Sequence, residues 1–321
     1  MYYVSEKAVE QSVTQADITA AIEHVFISLA KEDAANFPVV REKLNYADAI
    51  FGFKSGFDRS APALGVKAGG LWPGNRAKGL ANHQSTIVLF DPETGGPHAL
   101  VRGTYLTALR TAAASALSIR HLSRQGAATL GLLGAGGQAA FQVRAALGEG
   151  AFKRLLICDA SDENAAALKD SLSDAPVDVD IVDPQTMAEN SDTIITITPS
   201  FEPVIKAGWV RPGTHLACMG ADTKGKQEVE TSLLETASVF CDEPEQAVML
   251  GESQHAHGAG KLHVQNLTTL GRVLSGAHQG RRDDAEITVF DSTGMGLQDL
   301  AAAQIALRAA IDQDLAVILP E

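Results

Sequence analysis

A glycine-rich turn between an apolar run and a helical pattern constrains the fold of this chain most. Residues 129–133 are apolar, residues 132–139 read LLGAGGQA, and residues 138–147 have helical spacing. In the pattern G-x-G-x-x-A, Gly134 permits a tight turn, Gly136 lets a phosphate approach the backbone, and Ala139 allows close helix–sheet packing. Glycine turns of this kind also occur for packing reasons alone. The surrounding sequence is therefore needed to distinguish a phosphate-binding turn from a packing turn.

The position of Asp159 favours the phosphate-binding interpretation. A second apolar run, residues 155–158, ends immediately before Asp159, twenty-five residues after Gly134. An acid at this point accepts hydrogen bonds from the ribose hydroxyls of NAD(H) and repels the 2′-phosphate of NADP(H). The alternative is that Asp159 only caps the helix predicted at residues 162–171. The sequence thus predicts a dinucleotide site for NAD(H).

Two patterns of secondary structure divide the chain. After Gly126, apolar runs at residues 177–182, 193–198, 215–219, 239–241 and 287–290 alternate with helical segments. Such alternation predicts a parallel sheet with right-handed crossovers. We therefore predict an α/β protein with a Rossmann-type doubly wound parallel sheet, the NAD(H)-binding domain, at residues 121–300.

The first 120 residues have an α+β pattern instead. Thr14 and Asp17 form a capping-box pattern before a helix, and an Ala-rich helix is predicted at residues 107–121. Short strands are predicted between these helices, at residues 49–53, 64–68 and 85–90. We predict a substrate-binding and dimerisation domain at residues 1–120, joined by the C-terminal helix at residues 301–321.

Composition excludes several classes of function. The formal net charge is -13 and Lys and Arg form no basic block, so no nucleic-acid partner is expected. No apolar run approaches the length of about 18 residues needed for a membrane span, and residues 1–6 lack the features of a signal peptide. Cys158, Cys218 and Cys241 form no CxxC pair and are interpreted as buried thiols in a reducing cytoplasm. We expect a cytoplasmic protein without a membrane partner.

Polar residues follow several of the predicted strands. In a doubly wound sheet, ligands bind beyond the carboxyl ends of the strands, where Thr198, Asp222 and Ser292 are expected. A carboxylate there can exchange a proton with a nitrogen that becomes an imine during hydride transfer. Asp222 is therefore the candidate acid/base residue, and the alternative is a helix N-cap.

Other polar residues near this segment have less specific interpretations. Lys226 either reaches the cofactor phosphates or is solvated, and Lys224 is interpreted as solvated. The segment ESQHAH at residues 252–257 contains two histidines two positions apart, but no third ligand is clearly placed. We interpret it as a polar loop and expect no metal site.

Several motifs together resemble the ornithine cyclodeaminase/mu-crystallin family over nearly the full chain. They are Val66-Lys67, Pro73-x-Asn75, residues 106–113, residues 134–138, Gly220-x-Asp222-x-x-Gly225-Lys226-x-Glu228 and Asp291-Ser292-x-Gly294. The resemblance implies a homodimer. It also implies that the first domain supplies substrate-binding groups and the dimer sheet, and that the second supplies the NAD(H) site.

The resemblance also implies roles for individual residues. Asp222 corresponds to the acid/base residue, and Lys67 and Arg41 to ligands of the substrate carboxylate, with Lys67 counted among the catalytic residues. Arg110 falls close to both substrate and cofactor, and Thr293 beside the substrate. The positions that fall at the cofactor are Asn82, Arg110, Gly134, Gly136, Gly137, Gln138, Asp159, Thr198, Lys226 and Ser292.

The family includes several chemistries that pass through an imine beside a carboxylate. They are ornithine cyclisation, alanine dehydrogenation, ketimine reduction and iminosuccinate reduction, and mu-crystallin-like members can act as ligand carriers without catalysis. This chain is most similar to the branch that reduces iminosuccinate to L-aspartate, at residues 36–42, 69–75, 82–86 and 220–228. The expected substrate is thus a small imino acid, and the other chemistries remain alternatives.

A dicarboxylic imine requires cations or hydrogen-bond donors at two positions. The first domain offers Arg41, Lys54, Lys67, His83 and Arg110, with few acids among them, and bidentate Arg suits a carboxylate. His83 either donates to the second carboxylate or is an ordinary strand histidine. Lys54 is expected to face solvent on an alternating strand. The excess of basic residues favours a dianionic substrate over ornithine, whose distal ammonium needs an anion.

Overall fold

A computed structural model describes residues 1–320, in two compact units. The first unit comprises Met1–Arg110 with Met295–Glu321, and the second comprises Thr111–Gly294. The predicted boundaries lie near residues 120 and 300, so the first observed boundary comes earlier. It falls inside one uninterrupted helix, where no break in the sequence marks it.

The first unit begins with a mixture of helices and strands. Thr14 and Asp17 form the predicted capping box, because each side chain accepts a hydrogen bond from the backbone N–H of the other. The elements of this part of the chain, in order, are β1 (Tyr2–Val4), α1 (Glu6–Ser12), α2 (Gln15–Ala30), β2 (Ala34–Asn36), β3 (Val40–Lys43), β4 (Ile50–Asp58), β5 (Ala63–Leu71), β6 (His83–Phe90), β7 (Pro97–Arg102) and α3 (Thr104–Leu122).

The second unit is a parallel sheet with intervening helices. Its elements are β8 (Thr129–Leu133), α4 (Ala139–Glu149), β9 (Arg154–Cys158), α5 (Asp162–Ser171), β10 (Asp178–Ile181), α6 (Pro184–Asn190), β11 (Thr193–Thr196), β12 (His215–Cys218), α7 (Thr231–Thr236), β13 (Ser238–Cys241), α8 (Pro244–Leu250), α9 (Gln254–Gly258), β14 (Thr268–Thr269), α10 (Leu270–Leu274) and β15 (Thr288–Asp291). The strand order is β10-β9-β8-β11-β12-β15-β13-β14, and all these pairings are parallel.

This strand order is that of a doubly wound Rossmann-type sheet, as predicted. The order reverses between β8 and β11, and a crevice for a ligand forms at such a reversal. The central strands are buried on both faces, as Leu132 and Ile194 show with 0% exposure. That burial explains their continuous apolar sequences, because helices cover both faces of a parallel sheet.

The chain then returns to the first unit with α11 (Gly296–Asp312) and β16 (Val317–Ile318). The first unit's sheet has the order β16-β1-β7-β6-β5-β4-β2, with β3 also paired to β4. Helix α11 packs on β4, β5 and β6. A Cβ on Gly56 would lie 2.8 Å from Cγ of Leu297, so the missing side chain lets the helix come close to the sheet. This unit has the predicted α+β architecture.

Within residues 1–320, every helix is too short or too polar to cross a membrane.

Candidate active site

Basic side chains from neighbouring strands lie on one face of the sheet in the first unit. Lys54 on β4 and Lys67 on β5 are direct cross-strand partners. Arg41 on β3 pairs with Gly52, two positions before Lys54. Side chains alternate along a strand and cross-strand partners share a face, so these three side chains lie on the face that α11 covers. We call Arg41, Lys54, Lys67 and Arg110 the cationic cluster.

The prediction that Lys54 faces solvent is wrong, because its side chain is buried at 8% exposure. The register explains the error. Lys54 shares the face of Lys67, which is itself 6% exposed, and both lie under the helix. The alternation of β4 therefore places this lysine toward the protein interior.

Asp299 holds part of the cationic cluster together, and sequence reasoning did not find it. It lies in the first turn of α11 with 1% exposure. Its Oδ1 and Oδ2 atoms are 2.9 Å and 2.8 Å from Nζ of Lys67. Arg110, on α3, donates from Nε to Oδ1 at 3.0 Å. Two predicted substrate ligands, Lys67 and Arg110, thus meet at one buried carboxylate.

Burial and mutual repulsion change the protonation of this region. Burial lowers the pKa of Lys67 to about 8, although Asp299 acts to raise it; Arg110 and Arg41 lower it further. Burial would raise the pKa of Asp299, but Lys67 and Arg110 hold it below its ordinary value. The region is therefore cationic at neutral pH, and Asp299 is ionised there.

His83 begins β6 on the same face, four residues before Ile87, the cross-strand partner of Lys67. Burial lowers its pKa to about 3, and the charges of Lys67 and Arg110 act in the same direction. The imidazole is therefore neutral at physiological pH and can donate one hydrogen bond. Asn82, directly before it, accepts a hydrogen bond from the backbone N–H of Arg76 at 2.9 Å.

The glycine turn of the second unit fits a dinucleotide pyrophosphate. Gly134 has φ +106°, and a Cβ there would lie 2.8 Å from the carbonyl oxygen of Ile197. A Cβ on Gly136 or Gly137 would meet nothing within 4 Å, so open space lies above the turn. Helix α4 begins here without a side-chain cap, and the N-terminus of a helix favours an anion. Oε1 of Gln138 is buried and has no partner in the described part of the chain.

Asp159 lies at the end of β9, beside this turn. Its Oδ2 atom accepts a hydrogen bond from the backbone N–H of Ala135 at 2.6 Å, and Oδ1 accepts one from Ser161 at 2.8 Å. The cap of α5 is Ser161, whose side chain accepts from Asn164. The alternative interpretation of Asp159 as the helix cap is therefore wrong.

Asp222 follows β12 and has a lysine beside it. Nζ of Lys226 donates to Oδ1 of Asp222 at 2.8 Å and to the carbonyl oxygen of Gly220 at 3.0 Å. The Asp222 side chain is 27% exposed. The next helix, α7, begins only at Thr231, so the N-cap interpretation of Asp222 is wrong. Lys224 is exposed, as predicted.

Glu228 ties this segment to the end of the neighbouring strand. It is 0% exposed, and its Oε1 atom accepts from the backbone N–H and the hydroxyl of Thr198 at 2.6 Å and 2.8 Å. Its Oε2 atom accepts from the N–H of Gly220 at 2.9 Å and from the hydroxyl of Thr196 at 2.6 Å. One buried carboxylate therefore fixes Thr198 and the residue two positions before Asp222.

Two further buried carboxylates continue this arrangement. Glu252 accepts from the N–H groups of Glu228 and Val229 at 2.9 Å and 2.8 Å, and Asp291 accepts from those of Glu252 and Ser253 at 2.9 Å and 2.8 Å. We call Glu228, Glu252 and Asp291 the carboxylate chain. Burial raises the pKa of all three, that of Asp291 to about 7.

Asp242 organises the end of β15. It accepts hydrogen bonds from the hydroxyls of Ser292 and Thr293, both at 3.1 Å, and from the N–H of Gly294 at 2.6 Å. The two predicted ligand residues, Ser292 and Thr293, are thus adjacent and held by the same carboxylate.

The segment at residues 252–257 differs from its prediction. Residues Gln254–Gly258 form the short helix α9 rather than a polar loop. Within residues 1–320, no three His, Cys, Asp or Glu side chains are grouped so that they could hold a metal ion. His255 donates from Nε2 to the carbonyl oxygen of Lys226, and His257 donates from Nδ1 to that of Leu262.

Several known proteins are similar to this chain over nearly its full length. The family model of the ornithine cyclodeaminase/mu-crystallin family matches residues 3–313. The iminosuccinate reductase of Paracoccus denitrificans (strain Pd 1222) is 46% identical over 310 residues, which cover 97% of each chain. The solved structure of the iminosuccinate reductase of Paracoccus denitrificans in complex with NAD+ superposes with a TM-score of 0.95 and 45% identity, covering 100% of this chain and 99% of that one. An archaeal alanine dehydrogenase dimer with bound NAD gives a TM-score of 0.94 and 30% identity, with coverage of 100% and 99%. The chain belongs to the ornithine cyclodeaminase/mu-crystallin family.

Proposed function

We propose that this protein is an NAD(H)-dependent imine reductase that reduces iminosuccinate to L-aspartate. The observation that carries the proposal is the cationic cluster, which gathers basic side chains of three strands and α3 around the buried carboxylate of Asp299. An imine with two carboxylates matches such a cluster, and the similar protein from Paracoccus denitrificans is an iminosuccinate reductase.

The second unit holds the cofactor in this proposal. The N–H groups at the start of α4 bind the pyrophosphate above Gly136 and Gly137, and Asp159 at the end of β9 receives the ribose hydroxyls. When bound, NADH supplies the hydride. The other residues of this unit assigned to cofactor binding are Gly134, Gln138, Thr198, Lys226 and Ser292. Asn82 and Arg110, in the first unit, are assigned to the cofactor by the family resemblance alone.

The first unit binds the substrate carboxylates. Lys67, Arg41 and Arg110 hold the α-carboxylate, because charge-assisted hydrogen bonds to ammonium and guanidinium groups are the strongest available. The neutral His83 donates a hydrogen bond to the second carboxylate. The family resemblance also assigns Thr293 to the substrate; this residue belongs to the second unit, where Asp242 holds it.

Asp222 supplies or stabilises the proton at nitrogen. Reduction adds a hydride to the imine carbon and a proton to the imine nitrogen, so the carbon becomes a better acceptor when the nitrogen is protonated or hydrogen-bonded. Asp222 is partly exposed and Lys226 orients it, whereas Glu228 is fully buried and occupied with backbone donors. We therefore assign proton exchange to Asp222.

We also propose a homodimer that forms through the open face of the first unit's sheet. The side chains opposite α11 are largely apolar and only partly buried, among them Phe53, which is 43% exposed, Val66 and Val88. An archaeal alanine dehydrogenase of similar structure is a dimer. Val66→Asp should shift the mass in solution, measured by light scattering, from two chains to one.

The three buried, free cysteines support a reducing compartment such as the cytoplasm.

The function is tested by following NADH absorbance with oxaloacetate and ammonium at mildly alkaline pH, where iminosuccinate forms in solution. Parallel reactions contain pyruvate with ammonium, and L-ornithine with NAD+ in an ammonia-release assay. Rapid, ammonium-dependent NADH oxidation with oxaloacetate is the expected result. Activity with pyruvate or ornithine alone would overturn the substrate assignment.

A further inference from the structure

Two lysines lie side by side on neighbouring strands of the first unit's sheet, on the same face. Lys54 and Lys67 are direct cross-strand partners, and like charges at such positions repel. Arg110 approaches the same place from α3 and acts to lower the pKa of Lys67. Some feature of the fold must therefore keep these cations close together and charged.

Asp299 has the required position. Its helix is fixed on the sheet by close contacts, since a Cβ on Gly65 would lie 2.7 Å from Cδ2 of Leu300. The carboxylate is 1% exposed and contacts Lys67 and Arg110, and the charge of Lys54 acts on it as well. It thus faces three members of the cationic cluster from the helix above them.

We propose that Asp299 is a positioning residue for substrate recognition: it holds Lys67 and Arg110 side by side and keeps Lys67 protonated, so that the pair can receive a substrate carboxylate. The proposal rests on the proposed function for the identity of that substrate. Asp299 itself acts through its two partners, and we assign it no contact with the imino acid.

The physical reason lies in the balance of charges around Lys67. The groups that face it are Arg41 from β3, Lys54 from β4, His83 from β6, Arg110 from α3 and Asp299 from α11. Burial, Arg110 and Arg41 all lower the pKa of Lys67, and Asp299 opposes them. Without Asp299, the lysine loses its proton at a lower pH, and a neutral amine binds a carboxylate weakly.

The test compares the wild type with Asp299→Asn, which keeps the shape and removes the charge. We expect KM for the imine formed from oxaloacetate and ammonium to rise about tenfold to a hundredfold, the equivalent of one charge-assisted hydrogen bond. The alkaline limb of kcat/KM should move down by about one pH unit or more. Both proteins see the same imine concentration at each pH, so the difference between their profiles reports the protein.

Asp312→Asn is the matched control, because Asp312 is exposed at the end of the same helix. Its kcat/KM profile and its NADH binding, measured by fluorescence, should both match those of the wild type. An unshifted alkaline limb in Asp299→Asn would overturn the proposal. Should that variant fail to fold, Asp299→Glu is tested instead. The negative charge remains in this variant, so the alkaline limb of kcat/KM should stay at the wild-type pH while KM rises. An unchanged KM would overturn the proposal.

A second readout separates this proposal from the proposed function. Competitive labelling of lysines with acetic anhydride, read by mass spectrometry, gives the pKa of Lys67 without turnover. A wild-type pKa near 8 that falls in Asp299→Asn supports the positioning role even if oxaloacetate with ammonium is no substrate. Equal Lys67 pKa values in the two proteins would contradict the role of Asp299 even if the wild type makes aspartate rapidly.

Discussion

Two groups of buried carboxylates, one in each unit, have different partners. In the first unit, Asp299 is paired with the side-chain cations of Lys67 and Arg110. In the second, Glu228, Glu252 and Asp291 accept mainly backbone N–H groups. The protonation behaviour differs accordingly, because the cations depress the pKa of Asp299 whereas burial raises that of Asp291 to about 7.

The difference shows what each arrangement can do. A carboxylate paired with cations that outnumber it leaves positive charge for an anionic ligand. A carboxylate that accepts backbone N–H groups fixes the path of loops, here the segments that carry Thr198 and Asp222. The proposed function assigns substrate binding to the first arrangement, and the second fixes the loops that carry Thr198 and Asp222.

Asp222 belongs to neither set, and its loss should have the largest effect. Asp222→Asn keeps the shape of the side chain but cannot exchange the proton, so kcat should fall at least about a hundredfold. NADH affinity, measured by fluorescence titration, should change little. Lys224→Gln, an exposed neighbour, is the control and should retain full activity. Normal turnover by Asp222→Asn would show that the proton comes from another group.

Glu228→Gln tests the loop-fixing role of the carboxylate chain. Both oxygens of Glu228 accept a backbone N–H, so the amide nitrogen of glutamine must face either Thr198 or Gly220 as a second donor. One buried donor left without a partner costs about 1–3 kcal/mol. We expect a lower melting temperature and NADH binding weakened about tenfold.

The matched control for that variant is Glu235→Gln, at a surface glutamate whose nearest cation, Lys261, is 4.0 Å away. It should melt like the wild type. If Glu228→Gln also did so and bound NADH normally, the carboxylate chain would have no role in positioning the cofactor site.

Replacing His83 should have the smallest effect, and it tests whether the first unit binds the second substrate carboxylate beside the cationic cluster. His83→Leu removes a neutral donor, so kcat/KM for the dicarboxylic imine should fall about three- to tenfold. The activity with pyruvate and ammonium, which forms an imine with one carboxylate, should change less. Because the pKa of His83 is about 3, the ratio of wild type to variant should be the same at pH 6 and pH 8.

A ratio that changes strongly between those two pH values would mean that His83 acts as a cation. His98→Asn, at an exposed histidine of the same unit, is the control.

Much of the second unit was predictable because its signals are local. The alternation of apolar runs and helical patterns, with the glycine turn at Gly134, is sufficient to predict the parallel sheet. The carboxyl ends of its strands then indicate where Asp159, Thr198 and Asp222 lie. The caps were less predictable: Ser161 rather than Asp159 caps α5, and only the backbone geometry distinguishes them.

The first unit shows why the rest was missed. Asp299 meets Lys67 across 232 residues of sequence, and no local pattern connects an acid in a C-terminal helix with a strand near the beginning. A weak signal existed, since Asp299 is an acid within an Ala- and Leu-rich helix. The burial of Lys54 follows from strand register, which the sequence alone does not fix. Glu228 was recognised as part of a motif, but its partners become visible only in three dimensions.

One isotope experiment tests the central claim most directly. The protein is incubated with NADH deuterated at C4 of the nicotinamide, oxaloacetate and 15N-ammonium, and the products are analysed by mass spectrometry. Reduction of the imine predicts L-aspartate with one deuterium at Cα and one 15N atom. Deuterated malate, or aspartate without deuterium, would contradict the proposal that the protein transfers hydride to iminosuccinate.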